Sequence, residues 1–236
     1  MDFEAFIKSL ESMEIVVSEL MRQQFLDYKN LIQEVNKVLN LTGIDDDEGI
    51  YLKHFWDSLL ISPMIPKNAR VCDVGSGAGF PGIVLAIARP DITIVCVEPT
   101  KKRTDFLERV VSECNLTNVK IINDRAEHVV DDYREHFDVV TARAVAHLDI
   151  LSELCVPLLK INGTFIAMKG MRGLEEVDEA KKALTLLALE LENENYLDDE
   201  GMGVRYNLEF TKKRKTPKKY PRTYAKIKKT PLSGRL

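Results

Sequence analysis

The chain has 236 residues and a net charge of −4, with 45% hydrophobic and 30% charged residues. That balance suits a globular protein with one large core and a modest extension, and is too short for two comfortable domains. The longest apolar run, residues 83–88, is far short of the roughly 20 needed to span a membrane, and the acidic start Met1-Asp2-Phe3-Glu4 lacks the basic region of a secretory signal, so a cytoplasmic location is expected.

Apolar residues recur at three and four over 16–39 (Leu20, Phe25, Tyr28, Leu31, Ile32, Val35, Val38), which predicts a long amphipathic helix with a short one before it. A further helix is expected over 48–60, favoured by the acidic run Asp45-Asp46-Asp47 at its amino end, and Pro63 and Pro66 close this N-terminal extension. Strand patterns then fall over 70–74, 93–97, 120–123, 137–142 and 164–168, separated by helices over 81–89, 101–115, 127–133 and 149–159. Strands joined by helices imply a parallel sheet covered on both faces with right-handed crossovers. After a helix over 175–187, extended runs over 189–197 and 204–213 joined by Asp198-Asp199-Glu200-Gly201 predict an antiparallel hairpin on the sheet's edge. The expected fold is α/β and Rossmann-like: a mostly parallel, seven-stranded sheet with an antiparallel C-terminal hairpin over 67–213, an N-terminal helical extension over 1–66 and a tail over 214–236.

The run Asp73-Val74-Gly75-Ser76-Gly77-Ala78-Gly79-Phe80-Pro81-Gly82 reads as strand, glycine-rich turn and helix start, the arrangement that holds a nucleotide-like cofactor. Gly77, Gly79 and Gly82 match the dinucleotide fingerprint. Asp73, however, places a carboxylate where a phosphate would be repelled, which leans towards a cationic ligand such as S-adenosylmethionine. Ligands of open α/β sheets sit beyond the strands' carboxyl ends. There stand Glu98, suited to two ribose hydroxyls; Ala126 and Glu127, suited to an adenine edge; Arg143, suited to a carboxylate or an RNA phosphate; and Lys169 with Gly170. Glu98 serves a nicotinamide or a methionine-derived cofactor equally.

Cys72, Cys96, Cys114 and Cys155 show no C-x-x-C pair and no histidine at ligand spacing, so they read as buried hydrophobes and no metal is expected. His54, Asp57 and Ser58 lie within one helical turn, a spacing that braces a helix rather than building a catalytic triad. No Asn-Pro-Pro-Tyr motif, no cysteine suited to attack a pyrimidine and no G-K-[ST] loop follows the strands. From Lys212 onward there are eleven Lys or Arg residues and no Asp or Glu, leaving about −15 on the residues before it. A basic tail on an acidic body reads as an anchor for a polyanion, nucleic acid before a membrane surface, because Pro217, Pro221 and Pro231 argue against one amphipathic membrane helix.

Taken together, Asn40-Leu41-Thr42, His54-x-x-Asp57-Ser58, the glycine turn, Arg125-Ala126-Glu127, Ala142-Arg143-Ala144, Lys169-Gly170, Tyr220-Pro221-Arg222 and Pro231-Leu232 resemble the RsmG (GidB) family over nearly the whole chain. That resemblance implies a class I S-adenosyl-L-methionine-dependent methyltransferase acting at N7 of a guanine in 16S ribosomal RNA, whether naked, in an assembly intermediate or in the small subunit. It implies cofactor contacts from Gly75, Phe80, Ala126, Glu127 and Arg143, to which the glycine turn and strand ends add Asp73, Gly77, Gly79 and Glu98 as expected contacts. Arg143 and Lys169 take positioning roles without a general base, and His54, Arg222, Lys226 and Lys229 take RNA contacts, with the tail on or near the substrate side. One departure is the stretch between Arg222 and Pro231-Leu232, which lacks the Gly and Pro that many members carry there. The competing readings are an NAD(P)-dependent oxidoreductase, which keeps the glycine turn and Glu98, and a non-catalytic RNA-binding protein, which uses the tail alone.

Overall fold

A computed structural model describes residues 1–234. Its sheet has seven strands in the order β3-β2-β1-β4-β5-β7-β6: β1 Arg70–Val74, β2 Thr93–Val97, β3 Val119–Ile122, β4 Phe137–Arg143, β5 Leu159–Lys169, β6 Leu189–Asp199 and β7 Gly203–Lys212. The first five are parallel, while β7 inserts antiparallel between β5 and β6. The order reverses at β1, which has β2 on one side and β4 on the other, so a crevice opens where their carboxyl ends diverge.

Successive strand residues face opposite layers. Val71, Ile94, Cys96, Val139 and Ile166 point into one apolar cluster, and Cys72, Val97, Val140, Phe165 and Ala167 into the other. The N-terminal helices share the first cluster. Phe6 and Phe25 meet edge to face at 4.9 Å and Tyr28 stacks on Phe55 at 5.1 Å, in continuous contact with Ile83, Val84, Ile94 and Phe106 beneath the sheet. The extension therefore has no core of its own. All four cysteines are buried and free.

Local chemistry explains where elements begin and end. The long helix is Glu19–Leu39 and starts later than the periodicity predicts, because Ser18 Oγ accepts the Met21 N–H at 3.1 Å and acts as its cap. Asn40 ends it in the left-handed conformation, φ 47°. The helix over 47–59 is π-helical through Ile50–Trp56, a widening that sequence periodicity does not signal. The helix predicted to reach residue 159 stops at Cys155, where Pro157 cannot donate and a short 3-10 turn, Val156–Leu158, follows. Strand β5 consequently starts at Leu159, before the expected 164, and its Asn162-Gly163 irregularity is accommodated by a register shift opposite Phe137 and Val139.

Phe55 is fully buried where the extension meets the sheet. Phe55→Ala is expected to destabilise the protein by about 3–5 kcal/mol. Chemical denaturation followed by tryptophan fluorescence (Trp56, in the extension) and by far-UV circular dichroism (helices of both parts) should show one coincident transition, since both parts share that cluster.

Candidate functional site

The glycine turn is held together by its own hydrogen bonds. Gly75 and Ser76 N–H donate to the Val97 carbonyl at 2.8 and 3.3 Å, and Gly79 and Phe80 N–H donate to the Ser76 carbonyl at 2.7 and 3.0 Å. Gly77 N–H donates to Glu98 Oε2 at 3.0 Å and Gly82 N–H to Asp73 Oδ2 at 3.0 Å. Gly75 (φ +73°) is required twice over, because a Cβ there would also lie 2.6 Å from Val145 Cγ2. The helix that follows, Gly82–Ala88, begins with its first N–H already taken by Asp73. From Gly75 to Phe80 every N–H of the turn except that of Ala78 is thus taken within the chain.

The expectation for Asp73 is corrected. It is completely buried and lines neither of the two cavities at the strand ends; besides Gly82 N–H it accepts a long 3.4 Å bond from the Thr141 hydroxyl. Burial pushes its carboxyl up to about 6, and the Gly82 N–H partly offsets the rise. Phe80, expected to contact the cofactor, lines neither of those two cavities either. Its ring lies under the His54 imidazole at 4.3 Å and the Arg143 guanidinium at 5.0 Å, so it supports those two side chains from behind.

Two cavities meet at Ala144 and Val145, just past the end of β4. The smaller, about 340 Å³, is lined by Gly75, Glu98, Thr100, Arg125, Ala126, Glu127 and Tyr224. Four predicted cofactor residues, Gly75, Glu98, Ala126 and Glu127, thus come together in one place, while Gly77 and Gly79 shape the turn behind it. Glu98 is nearly fully buried, and its two oxygens accept the Gly77 and Thr100 N–H groups at 3.0 and 2.8 Å. A carboxylate has about four acceptor positions, so two remain for hydroxyls in the cavity.

The larger cavity, about 590 Å³, is lined by Lys53, His54, Asp57, Arg143, His147, Lys169, Gly170, Glu176 and Arg205. Arg143 belongs to this cavity and not to the smaller one. Its guanidinium does grip a carboxylate, but one of the chain's own: Nη1 donates to Asp57 Oδ2 at 2.8 Å and to the Lys53 carbonyl at 3.2 Å. Asp57 is shared with Arg205 Nε at 2.9 Å, so a single buried carboxylate ties the N-terminal helices to β4 and β7. Lys169 Nζ donates to the Ala146 carbonyl at 2.7 Å and pairs with Glu176 at 2.8 Å. It thereby steadies the loop after β4, where Ala144 is held left-handed at φ +55° at about 1–2 kcal/mol of strain.

His54 is neutral here. Arg143 Nη2 can only donate to Nδ1, at 3.2 Å, which leaves the proton on Nε2 to reach the Thr42 hydroxyl at 2.7 Å. Burial first, then the Arg143 charge, pulls the imidazole down to about 4. Ser58 only back-bonds to the His54 carbonyl at 2.5 Å, and Asp57 faces the arginines, so no triad forms.

The tail is docked. Arg222 gives its backbone N–H, Nε and Nη2 to the fully buried Glu153 at 2.9, 2.8 and 2.6 Å, so it is not free to meet RNA as expected. Lys212 is likewise buried against Glu135 and the Val156 and Leu159 carbonyls and is no part of the basic surface. Lys226 and Lys229 are exposed on the short helix Tyr224–Lys229. Arg235 lies outside the described residues. Sequence reasoning missed Lys53, Arg205 and Tyr224; the first two come to the cavity through the π-helix and the antiparallel strand, with no local motif to mark them, and Tyr224 sits within a charge run that draws attention away from it. Among the described residues no group of His, Cys, Asp or Glu is placed to hold a metal, and no helix is long and apolar enough to cross a membrane.

The folded protein keeps His54 neutral from its ordinary 6.5 down to about 4, whereas the unfolded chain protonates it at 6.5. Its contribution to stability is present above pH 6.5 and is lost, by roughly 3 kcal/mol, as pH falls towards 4. Asp73 opposes this slope, since its raised pKa makes folding favour the proton below about 6. The difference in unfolding free energy between the parent protein and His54→Gln should therefore shrink from pH 7 to pH 4, as read by urea denaturation at each pH. A constant difference would contradict the neutral, buried imidazole.

Comparison with known proteins agrees with this architecture. Residues 21–201 match the family described as GidB, rRNA small subunit methyltransferase G. The ribosomal RNA small subunit methyltransferase G of Staphylococcus aureus strain JH9 is 44% identical over 236 residues, covering 98% of this chain and 99% of the relative. Solved structures similar in fold include an S-adenosylmethionine-dependent methyltransferase from Aquifex aeolicus, with TM-score 0.55, 14% identity and coverage of 73% of this chain and 97% of that one. Another is Aeropyrum pernix fibrillarin with natively bound S-adenosyl-L-methionine, with TM-score 0.52, 18% identity and coverage of 66% and 73%. The fold is that of the class I methyltransferases, and with a family match over residues 21–201 and a relative matched nearly end to end, the chain belongs to the GidB family of small-subunit rRNA methyltransferases.

Proposed function

We propose that this protein transfers the methyl group of S-adenosyl-L-methionine to N7 of a guanine in 16S ribosomal RNA, in the cytoplasm, with the cofactor's adenosine in the smaller cavity and the guanine in the larger. The observation that carries the reading is the glycine turn. Its N–H groups at Gly75, Ser76, Gly77, Gly79, Phe80 and Gly82 are all taken within the chain, two of them by the carboxylates of Glu98 and Asp73. A dinucleotide's pyrophosphate needs those donors and would face Glu98. A cofactor with ribose hydroxyls and no phosphate needs the acceptors that Glu98 still offers.

The cofactor supplies a methyl on a sulfonium, and guanine N7 has an in-plane lone pair with no proton to lose. A general base has nothing to do, in keeping with a His54 that is neutral and bonded on both sides. The chain's task is alignment, which supplies roughly 7–11 kcal/mol when attack geometry is good. Arg143 fixes the end of β4 to the N-terminal helices, and Lys169 fixes the Ala144–Val145 partition through the Ala146 carbonyl. Lys53, Arg143, Lys169 and Arg205 outnumber Asp57 and Glu176 in the lining of the larger cavity, so it stays basic after those pairs form, which suits an RNA backbone.

Calorimetry should detect binding of S-adenosylmethionine and none of NAD. Transfer of labelled methyl to ribosomal RNA, followed by base mapping, should place the label on guanine N7; label on an adenine or a pyrimidine would overturn the assignment. Arg143→Ala should lower turnover by about 10²-fold through misplacement of the partition, with cofactor affinity changed far less. Loss of cofactor binding alone would contradict the positioning role.

A further inference from the structure

The smaller cavity has one wall that comes from neither the glycine turn nor the strand ends. Tyr224, the first residue of the tail helix Tyr224–Lys229, lines it together with Leu154, Ala126 and Glu98. The ring is flanked on one side by the Arg125 guanidinium, 5.2 Å from its centroid, and Arg125 immediately precedes the helix that carries Ala126 and Glu127. Around it the tail is built in. Tyr220 and Ile227 are buried in the second core cluster. Arg134 Nη2 donates to the Tyr220 carbonyl at 2.7 Å, and Arg222 is locked on the buried Glu153. The Arg222–Glu153 pair is three-pronged and largely out of water, a geometry that fixes direction as well as distance. Its effect is to deliver Tyr224 to the cavity mouth two residues further on.

We propose that Tyr224 is a cofactor-binding residue: its ring forms the outer wall against which the adenosine of S-adenosylmethionine packs, and the Arg222–Glu153 pair is the positioning element that holds it there. The inference rests on the reading of the smaller cavity as the cofactor's. A planar heterocycle between an apolar floor and a hydrogen-bonding edge needs a second flat face, and Tyr supplies one at small entropic cost. The docked tail therefore belongs to the cofactor side of the Ala144–Val145 partition, with its lysines Lys226, Lys228 and Lys229 exposed outside that wall.

The test is calorimetric affinity for three probes that share the adenosine: S-adenosylmethionine, S-adenosylhomocysteine and methylthioadenosine. Tyr224→Ala should weaken all three by a similar factor, about tenfold, and Tyr224→Phe should restore most of it. Ala126→Tyr, which fills the cavity from its floor, should abolish binding of all three in a protein that keeps its parental circular dichroism spectrum. If Ala126→Tyr abolishes binding and Tyr224→Ala leaves it unchanged, the cavity is the cofactor's and the inference about Tyr224 is wrong. A Tyr224→Ala effect confined to the KM for RNA overturns it equally. Should folded Ala126→Tyr bind all three probes normally, the assignment of the cavity fails and takes the inference with it.

Discussion

The hydrogen bond from Gly82 N–H to the buried Asp73 carboxylate joins the last residue layer of β1 to the first turn of the next helix, and most of the site is arranged around that short link. A Cβ on Gly82 would lie 2.7 Å from Asp73 Oδ2 and from Cys96 Sγ, so the approach is open only to glycine. With the turn closed from within, Glu98 can close it from the other side through Gly77 N–H. The turn becomes a rigid wall with most of its donors spent. Its outer surface is left to be recognised by shape and by the free acceptors of Glu98. That distinguishes it from a phosphate cradle even though its glycines have the spacing of one.

The second organising feature is Asp57. One buried carboxylate holding both Arg143 and Arg205 is costly to desolvate, and it is retained where three separate parts of the chain converge. It converts the N-terminal helices from a covering layer into a wall of the larger cavity. The π-helical turn over Ile50–Trp56 presents Lys53 and His54, and Asp57 directly after it, towards β4, and such widened turns occur where a helix has to meet a site. His54 fits because its neutral imidazole accepts from Arg143 and stacks on Phe80, a combination a charged imidazole would not tolerate.

The tail shows how charge alone misleads. A run of basic residues without acids reads as a polyanion anchor, yet Lys212 and Arg222 are spent inside the fold on Glu135 and Glu153. The remaining exposed lysines stand on a helix whose opposite side is apolar and packed. The tail is thus both structural and, on its outer face, electropositive, and the two roles are divided residue by residue.

The order of strands and helices, the hairpin at the edge and the residues gathered at the strand ends were legible in the sequence, because hydrophobic periodicity and glycine or proline punctuation are local properties. Gly75, Glu98, Ala126 and Glu127 were placed together by one topological rule about where strands end. What the sequence could not show is which polar groups are already satisfied. Asp73 read as facing a ligand and is sealed in the interior. Phe80 read as a cofactor contact and is a support, Arg222 read as an RNA contact and is a latch, and Arg143 found its carboxylate in Asp57. Each of those outcomes depends on partners distant in sequence, and burial makes an unpaired charge too costly to leave, so only the tertiary structure decides which groups are spent in the fold and which remain for the substrate.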